Sequence, residues 1–403
     1  MGNCMVRKEL TEKEKIVFYN LIVHPDWNDR MISDSTGIKL STVTAIRRRL
    51  KDRGFFSVHR IPNLKKLGVE IIAFIHQHFP VGSNERYVER WKEPVEAEYC
   101  VPTAIASREY GFTVVLARNY THYFIVMEKL NREWEKRRLD IQRSKEFLFP
   151  TPISTFISFF NYRNIVSSAL GLEFDADNLR GDVWGDTWED VGKAHGVYEE
   201  WDKDAHEKWY GEDVSDNLSL REKAVLLTLI EHPETTDREV GEIVGISRQS
   251  VASIKYRFKK MGLYKEVRIP SLQHLGYEIL AFAHSKFNPL SPLKDRKKAM
   301  EYLLTEVPQF FMLSNNSENF LMAAVRGYNE YVHYKDKILS IYREHNFIVE
   351  EPEVFLVPLS DVKFTKSHKY AEALRRCWGL NPTSDAHYGR RATAGRRYSG
   401  GGE

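Results

Sequence analysis

Apolar positions recur at helical spacing along residues 10–54. Ile16, Leu21 and Ile22 mark one face; Thr11 and Glu14 stand before them at capping-box spacing, and His24-Pro25 ends the run. A second helix is predicted from a cap at Asp29 to Gly37. A third runs from a cap at Ser41 or Thr42 to Gly54, with Val43, Ile46 and Leu50 inward. Residues 55–61 read as a strand or small wing. The period then changes to two. Residues 70–79 alternate as a strand, followed by a helix at 84–92, strands at 102–107 and 112–117, a helix at 120–136 and a final strand at 152–160. Helix, turn, helix followed by strand-helix-strand-strand-helix-strand is a helix-turn-helix unit ahead of a ferredoxin-like one.

The pattern then repeats. Residues 10–79 align without a gap onto 218–287, and about 29 of about 70 positions are identical, which marks a tandem duplication. Arg60-Ile61-Pro62 recurs as Arg268-Ile269-Pro270, Leu67-Gly68 as Leu275-Gly276, Tyr120 as Tyr328 and Gly171-Leu172 as Gly379-Leu380. The second copy predicts helices marked by Asp237, Gly245, Ser250, Val251, Ile254, Phe258 and Gly262, and a strand or wing at 263–269. Strands at 278–287, 309–314, 320–325 and 353–358 follow, with helices at 293–305 and 328–345. The expected fold class is α+β: two winged helix-turn-helix domains (8–66 and 218–274), each followed by a ferredoxin-like βαββαβ domain (67–172 and 275–380), with a connector at 173–217 and a disordered basic tail at 381–403.

Composition sets the class. The 403 residues are 42% hydrophobic and 29% charged, ordinary for a globular chain of two to three domains. Three cysteines (Cys4, Cys100, Cys377) are too scattered for a disulfide framework or a zinc site. Without an apolar run long enough for a membrane span, or a signal-peptide pattern, the expectation is a soluble, cytoplasmic and nucleoid-associated protein. The net charge of +3 hides a sharp partition. The connector holds 15 acidic and four basic side chains, with Trp184, Trp188, Trp201 and Trp209 among them. It reads as a structural strap or as an acidic mask over a basic surface.

Segment 39–66 carries nine Lys or Arg and one acid, and segment 247–274 seven and one. Such a surface suits the phosphate backbone of DNA. The phosphate-binding candidates are Arg47, Arg48, Arg49, Lys51, Arg53 and Arg60, with Lys255, Arg257, Lys259, Lys260 and Arg268 in the second copy. Base edges are reached from the start of the third helix, by Ser41, Thr42 and Thr44 in one copy and Arg248, Gln249, Ser250 and Ser253 in the other. Arg248 suits guanine and Gln249 adenine. The plain alternative is an ordinary solvated helix face. No nucleotide-binding, nucleophile or metalloprotease motif is present, so no catalytic residue, metal or cofactor is expected. His76, His78 and His284 read as sheet histidines bonded to neighbours rather than ligands, and Cys100 as an inert small hydrophobe rather than a redox sensor.

With those residues in view, each copy resembles the Lrp/AsnC (feast/famine) transcription regulators. The resemblance rests on Asp29 through Gly37-Ile38, the Thr42-Val43 helix start, Leu50, Gly54 and Leu67-Gly68. It implies a sequence-specific regulator of double-stranded DNA, two fused copies acting as an internal pseudo-dimer, with a small-molecule effector and a further homodimer as partners. The stretches Ser107–Phe112 and Asn315–Phe320 lack the Gly-Asp pair usual in that family's effector loop. The same two-domain plan also resembles sirohaem decarboxylases, for which His76, His78, Arg108 and His122 are the candidate residues. A third alternative is an architectural DNA-binding protein using Arg390, Arg391, Arg396 and Arg397 of the tail.

Overall fold

The computed structural model describes residues 10–139, 143–172, 213–291, 303–304 and 306–380. In chain order the elements are α1 (Glu12–Val23), α2 (Asp29–Thr36), α3 (Leu40–Asp52), β1 (Phe56–Pro62), β2 (Ile71–His78), α4 (Glu85–Ala97), β3 (Thr103–Ala106), β4 (Tyr110–Ala117), α5 (Tyr120–Lys136), β5 (Arg143–Pro150), β6 (Thr155–Phe159) and α6 (Arg163–Leu170). The second half gives α7 (Leu220–Glu231), α8 (Asp237–Val244), α9 (Arg248–Met261), β7 (Tyr264–Pro270), β8 (Ile279–Lys286), β9 (Gln309–Ser314), β10 (Glu318–Val325), α10 (Tyr328–Glu344), β11 (Glu353–Pro358), β12 (Lys363–Lys366) and α11 (Tyr370–Cys377). The connector up to residue 212, the tail with its arginines, Cys4 and nearly all of the 293–305 helix lie outside the described residues.

Two compact units result, and each draws on both copies. One takes its residues from Met1–Val58, Ile153–Asp202 and Val267–Val362, the other from His59–Pro152, Lys203–Glu266 and Lys363–Glu403. The first therefore combines α1–α3 with the sheet β11-β8-β10-β9-β6, and the second combines α7–α9 with the sheet β12-β3-β4-β2-β5.

Both sheets are antiparallel throughout. The order β3-β4-β2-β5 is the ferredoxin-like order, and β9-β10-β8-β11 repeats it. The fifth strand of each sheet comes from the other copy. Residues 152–160 were expected to close the first sheet; instead β5 does so, pairing Ile71 with Pro150, while Thr155–Phe159 pairs with β9. In return β12 pairs with β3 through Lys363 and Ala106.

In the first unit Thr11 and Glu14 form the expected capping box. Val17, Phe18, Leu21, Ile32, Val43 and Leu50 are fully buried between the helices. Two caps move. Asn28, not Asp29, caps α2, and Lys39 precedes α3 without a side-chain bond, so Ser41 and Thr42 lie inside that helix. In the second unit Thr236 and Ser247 replace Asp237 and Ser250 as caps. The expected wings are not hairpins. β1 and β7 pair with each other, bounded by Asn63 N–H to Leu263 O at 2.8 Å in one unit and Ser271 N–H to Phe55 O at 2.8 Å in the other. A lone strand needs a ladder partner, and neither copy supplies a turn to fold one back.

Candidate nucleic-acid interface

The third helix of each three-helix set is held by polar contacts to the two helices before it. On α3, Arg47 reaches Asp29 with contacts of 2.7 and 3.1 Å, and the Thr44 hydroxyl donates to the same carboxylate at 2.8 Å. Arg49 meets the buried Glu14 at 2.6 Å. Burial pushes the Glu14 carboxyl up, but hydrogen bonds from Thr11 and the Arg49 charge outweigh it and hold it below the usual range. On α9 the equivalent residues make the equivalent pairs: Lys255 to Asp237 at 2.9 Å, and Arg257 to Glu222. Each helix is thus tied to both of its neighbours by charge-assisted bonds.

What remains outward is the candidate reading face. Ser41, Thr44, Ala45 and Arg48 share one side of α3 and line a shallow depression that extends to Asp52 and Arg53. Ser41, Thr44, Lys51 and Arg53 are exposed, Thr42 is half-buried, and the Arg48 side chain is 84% exposed beside Asp52 at 3.7 Å. Arg53 lies over the Phe55 ring at 4.9 Å. On α9, Arg248, Gln249, Ser250, Ser253, Lys259 and Lys260 are exposed, and the Ser250 hydroxyl bonds the capping Ser247 at 2.9 Å.

Two of the expected phosphate ligands point inward. Arg60 is buried, with its guanidinium on Glu266 at 3.1 Å and on the Leu229 carbonyl at 3.1 Å. Arg268 donates to the carbonyls of Leu21 at 2.8 Å, His24 at 3.4 Å and Trp27 at 3.2 Å. Both clamp the end of a first helix, where carbonyls lack intrahelical partners. They are corrected from DNA ligands to scaffold.

The alternative site divides across a sheet. Ile71, Ala73 and Ile75 of β2 face α4 and α5, so His76 and His78 face the other way. The rings of His76, His78 and Tyr110 gather there, with centroids 4.7, 5.2 and 4.9 Å apart. His76 is fully buried, and burial, helped by the charges of His78 and Lys145, lowers its pKa to about 3. His122 sits on the helix side: its Nδ1 accepts from Arg118 N–H at 3.2 Å, and its Nε2 lies 3.7 Å from Cys100. Arg108 is exposed in the β3–β4 turn. The four candidates therefore do not converge. Among the described residues no cluster of three or more His, Cys, Asp or Glu could hold a metal. Burial pushes the Cys100 thiol well up and that of Cys377 to about 12.

No family model matches the chain, and no curated protein does. Solved structures do. Siroheme decarboxylase NirDL aligns over 92% of this chain and 99% of its own, at 11% identity and a TM-score of 0.46. The same enzyme with an iron-uroporphyrin III analogue gives 91%, 97%, 11% and 0.47. An AsnC-family regulator from Pyrococcus furiosus covers 35% of this chain and 89% of its own, at 15% identity and a TM-score of 0.29. Escherichia coli AsnC covers 35% and 91%, at 17% and 0.28. At these identities and TM-scores the likeness assigns neither activity. It gives the expectation of no enzymatic activity no support.

Two residues escaped the sequence reading. Tyr256, 73% exposed on α9, stands at the position of Arg48 on α3. Its place among Lys255, Arg257 and Lys259, away from the Val251–Phe258 stripe, was the available signal. Glu318 Oε2 accepts at 2.7 Å from Nε2 of the buried His284, so that histidine has the neighbour it was expected to have, supplied by the facing strand.

Proposed function

We propose that the protein is a double-stranded-DNA-binding transcription regulator that presents two different reading helices, α3 and α9, from one chain. The observation that carries this is the matched locking of both helices by Arg47–Asp29 and Arg49–Glu14, and by Lys255–Asp237 and Arg257–Glu222, with exposed polar and cationic side chains left on the outer face. A merely solvated helix has no need of such orientation. Ser41, Thr44 and Arg48 serve one half-site; Arg248, Gln249, Ser253 and Tyr256 serve another. Selection from randomised duplexes tests it: the chain enriches a bipartite sequence with unlike halves, and Gln249→Ala relaxes one half only, by about 1–3 kcal/mol at the affected base pair. Enrichment of nothing above the starting pool contradicts it.

A second reading rests on the His76, His78 and Tyr110 cluster: a decarboxylase-like enzyme on the same fold, taking a porphyrin carboxylate. Titration with iron uroporphyrin III tests it, through a shift of the Soret band that His78→Ala abolishes.

A further inference from the structure

The helix-facing layers of the two sheets are filled differently. Beside β2 and β4 the layer is packed by Ile75, Val115 and the stacked Trp91 and Trp134 rings, whose centroids lie 6.4 Å apart. Trp91 also donates to Gln77 at 2.7 Å. At the matching positions of the second copy stand Ala283, Ala323, Tyr342 and Ser285. Large residues have become small, and a cavity of about 310 Å³ lies between β8, β10 and α10. That volume is in the range of small-molecule sites, with room for on the order of ten to twelve non-hydrogen atoms.

Its chemistry is uneven. The walls are alanines, Leu321, Val354 and Ile338, which suit an apolar body. Inside, the Tyr342 hydroxyl is engaged by Ser285 and Asn319, and all three are buried. Among the described residues the rim carries one cation, Lys335, and one acid, Glu351. Arg343 already holds Glu351 at 2.5 Å. Lys335 is the exposed rim charge left to meet a ligand.

We infer that this cavity binds a small apolar carboxylic acid, a medium-chain aliphatic or aryl acid, with its body between sheet and helix and its carboxylate on Lys335. The site lies within one unit, and its occupancy does not depend on the DNA-binding reading. The alanines are what make the room, since the first copy shows that the same fold accepts Ile and Val at those places.

Calorimetric titration of the full chain without DNA tests this, using sodium octanoate against 1-octanol. Octanoate is expected to bind saturably, one per chain, with a Kd below about 1 mM, and the alcohol at least about fivefold more weakly. Replacing Ala283→Ile together with Ala323→Val, the residues of the first copy, abolishes binding while the melting temperature holds or rises. Lys335→Met, at the surface, leaves the melting temperature unchanged and brings octanoate to the level of octanol. No saturable octanoate binding, or binding that survives the filled cavity, overturns the proposal.

Discussion

Arg268 and Arg48 differ in what their guanidinium groups meet, and their substitution separates stability from recognition. Arg268 satisfies three carbonyls at the end of α1. Arg268→Ala takes that donor from the Leu21 and Trp27 carbonyls, while His24 O keeps the Trp27 N–H, and costs about 2–4 kcal/mol, read by urea denaturation. Arg48→Ala changes stability by less than about 0.5 kcal/mol. It weakens binding to all duplex sequences alike. The sequence held the clue. Glu14, Asp29, Arg49, Arg60 and their counterparts Glu222, Asp237, Arg257 and Arg268 are identical between copies, as scaffold positions are, whereas Ser41, Thr44 and Arg48 differ from Gln249, Ala252 and Tyr256. Charge alone hid the distinction, because a clamp and a phosphate ligand are the same residue type. Three histidines held below their usual range add a pH dependence. His76 is lowered to about 3 by burial, and His59 and His368, their rings 4.5 Å apart, to about 4 and about 3. Unfolded histidine binds its proton near 6.5, so this stability is complete above that pH and is lost as pH falls toward the folded values. His76→Phe should flatten the loss by about 1.4 kcal/mol per pH unit between roughly pH 6 and 4, measured by denaturation across pH.

Helix α3 is oriented through Asp29, which takes both Arg47 and Thr44. Asp29→Ala removes a negative charge beside a basic helix. If the helix bound only through charge, duplex affinity would rise. The lock predicts the reverse: a loss of about 1–2 kcal/mol in stability and a fall of several-fold in affinity. Parallel denaturation and binding measurements decide it. The first helix with its Thr11–Glu14 capping box was legible in the sequence, as were the long helices, α5 at its observed limits and α10 to within one residue. Two edge strands of one sheet, β5 and β12, were not. β5 opens with Arg143-Ser144-Lys145-Glu146, a charged stretch that suits an edge and breaks the apolar alternation. β12 is four residues, Lys-Phe-Thr-Lys, for the same reason. The eight-residue α6 and α11 were missed because the expected plan ended at the last strand of each copy, though Gly171 and Gly379, both left-handed with φ of 68°, mark their ends.

Each compact unit needs both copies. β6, from the first copy, pairs with β9 of the second, and β12, from the second, pairs with β3 of the first. A repeat is legible in sequence; an exchange between repeats is not, because register and partner are long-range properties. Cleavage at a protease site inserted within 173–212 is expected to leave the two pieces co-eluting in gel filtration. Residues 1–172 expressed alone should not give a cooperative unfolding transition. The central claim, that α3 and α9 meet a duplex through their outer faces, is tested most directly by measuring affinity for a duplex at several salt concentrations. Arg47, Arg49, Lys255 and Arg257 hold the helices, and the exposed Arg48, Lys51, Arg53, Arg248, Lys259 and Lys260 are the phosphate candidates. Six contacts give a slope of log affinity against log salt of about −5, or a loss of about a thousandfold between 50 and 200 mM, and Arg48→Ala makes the slope shallower by about one. No duplex binding at 50 mM salt, or a slope that Arg48→Ala leaves unchanged, would contradict the account.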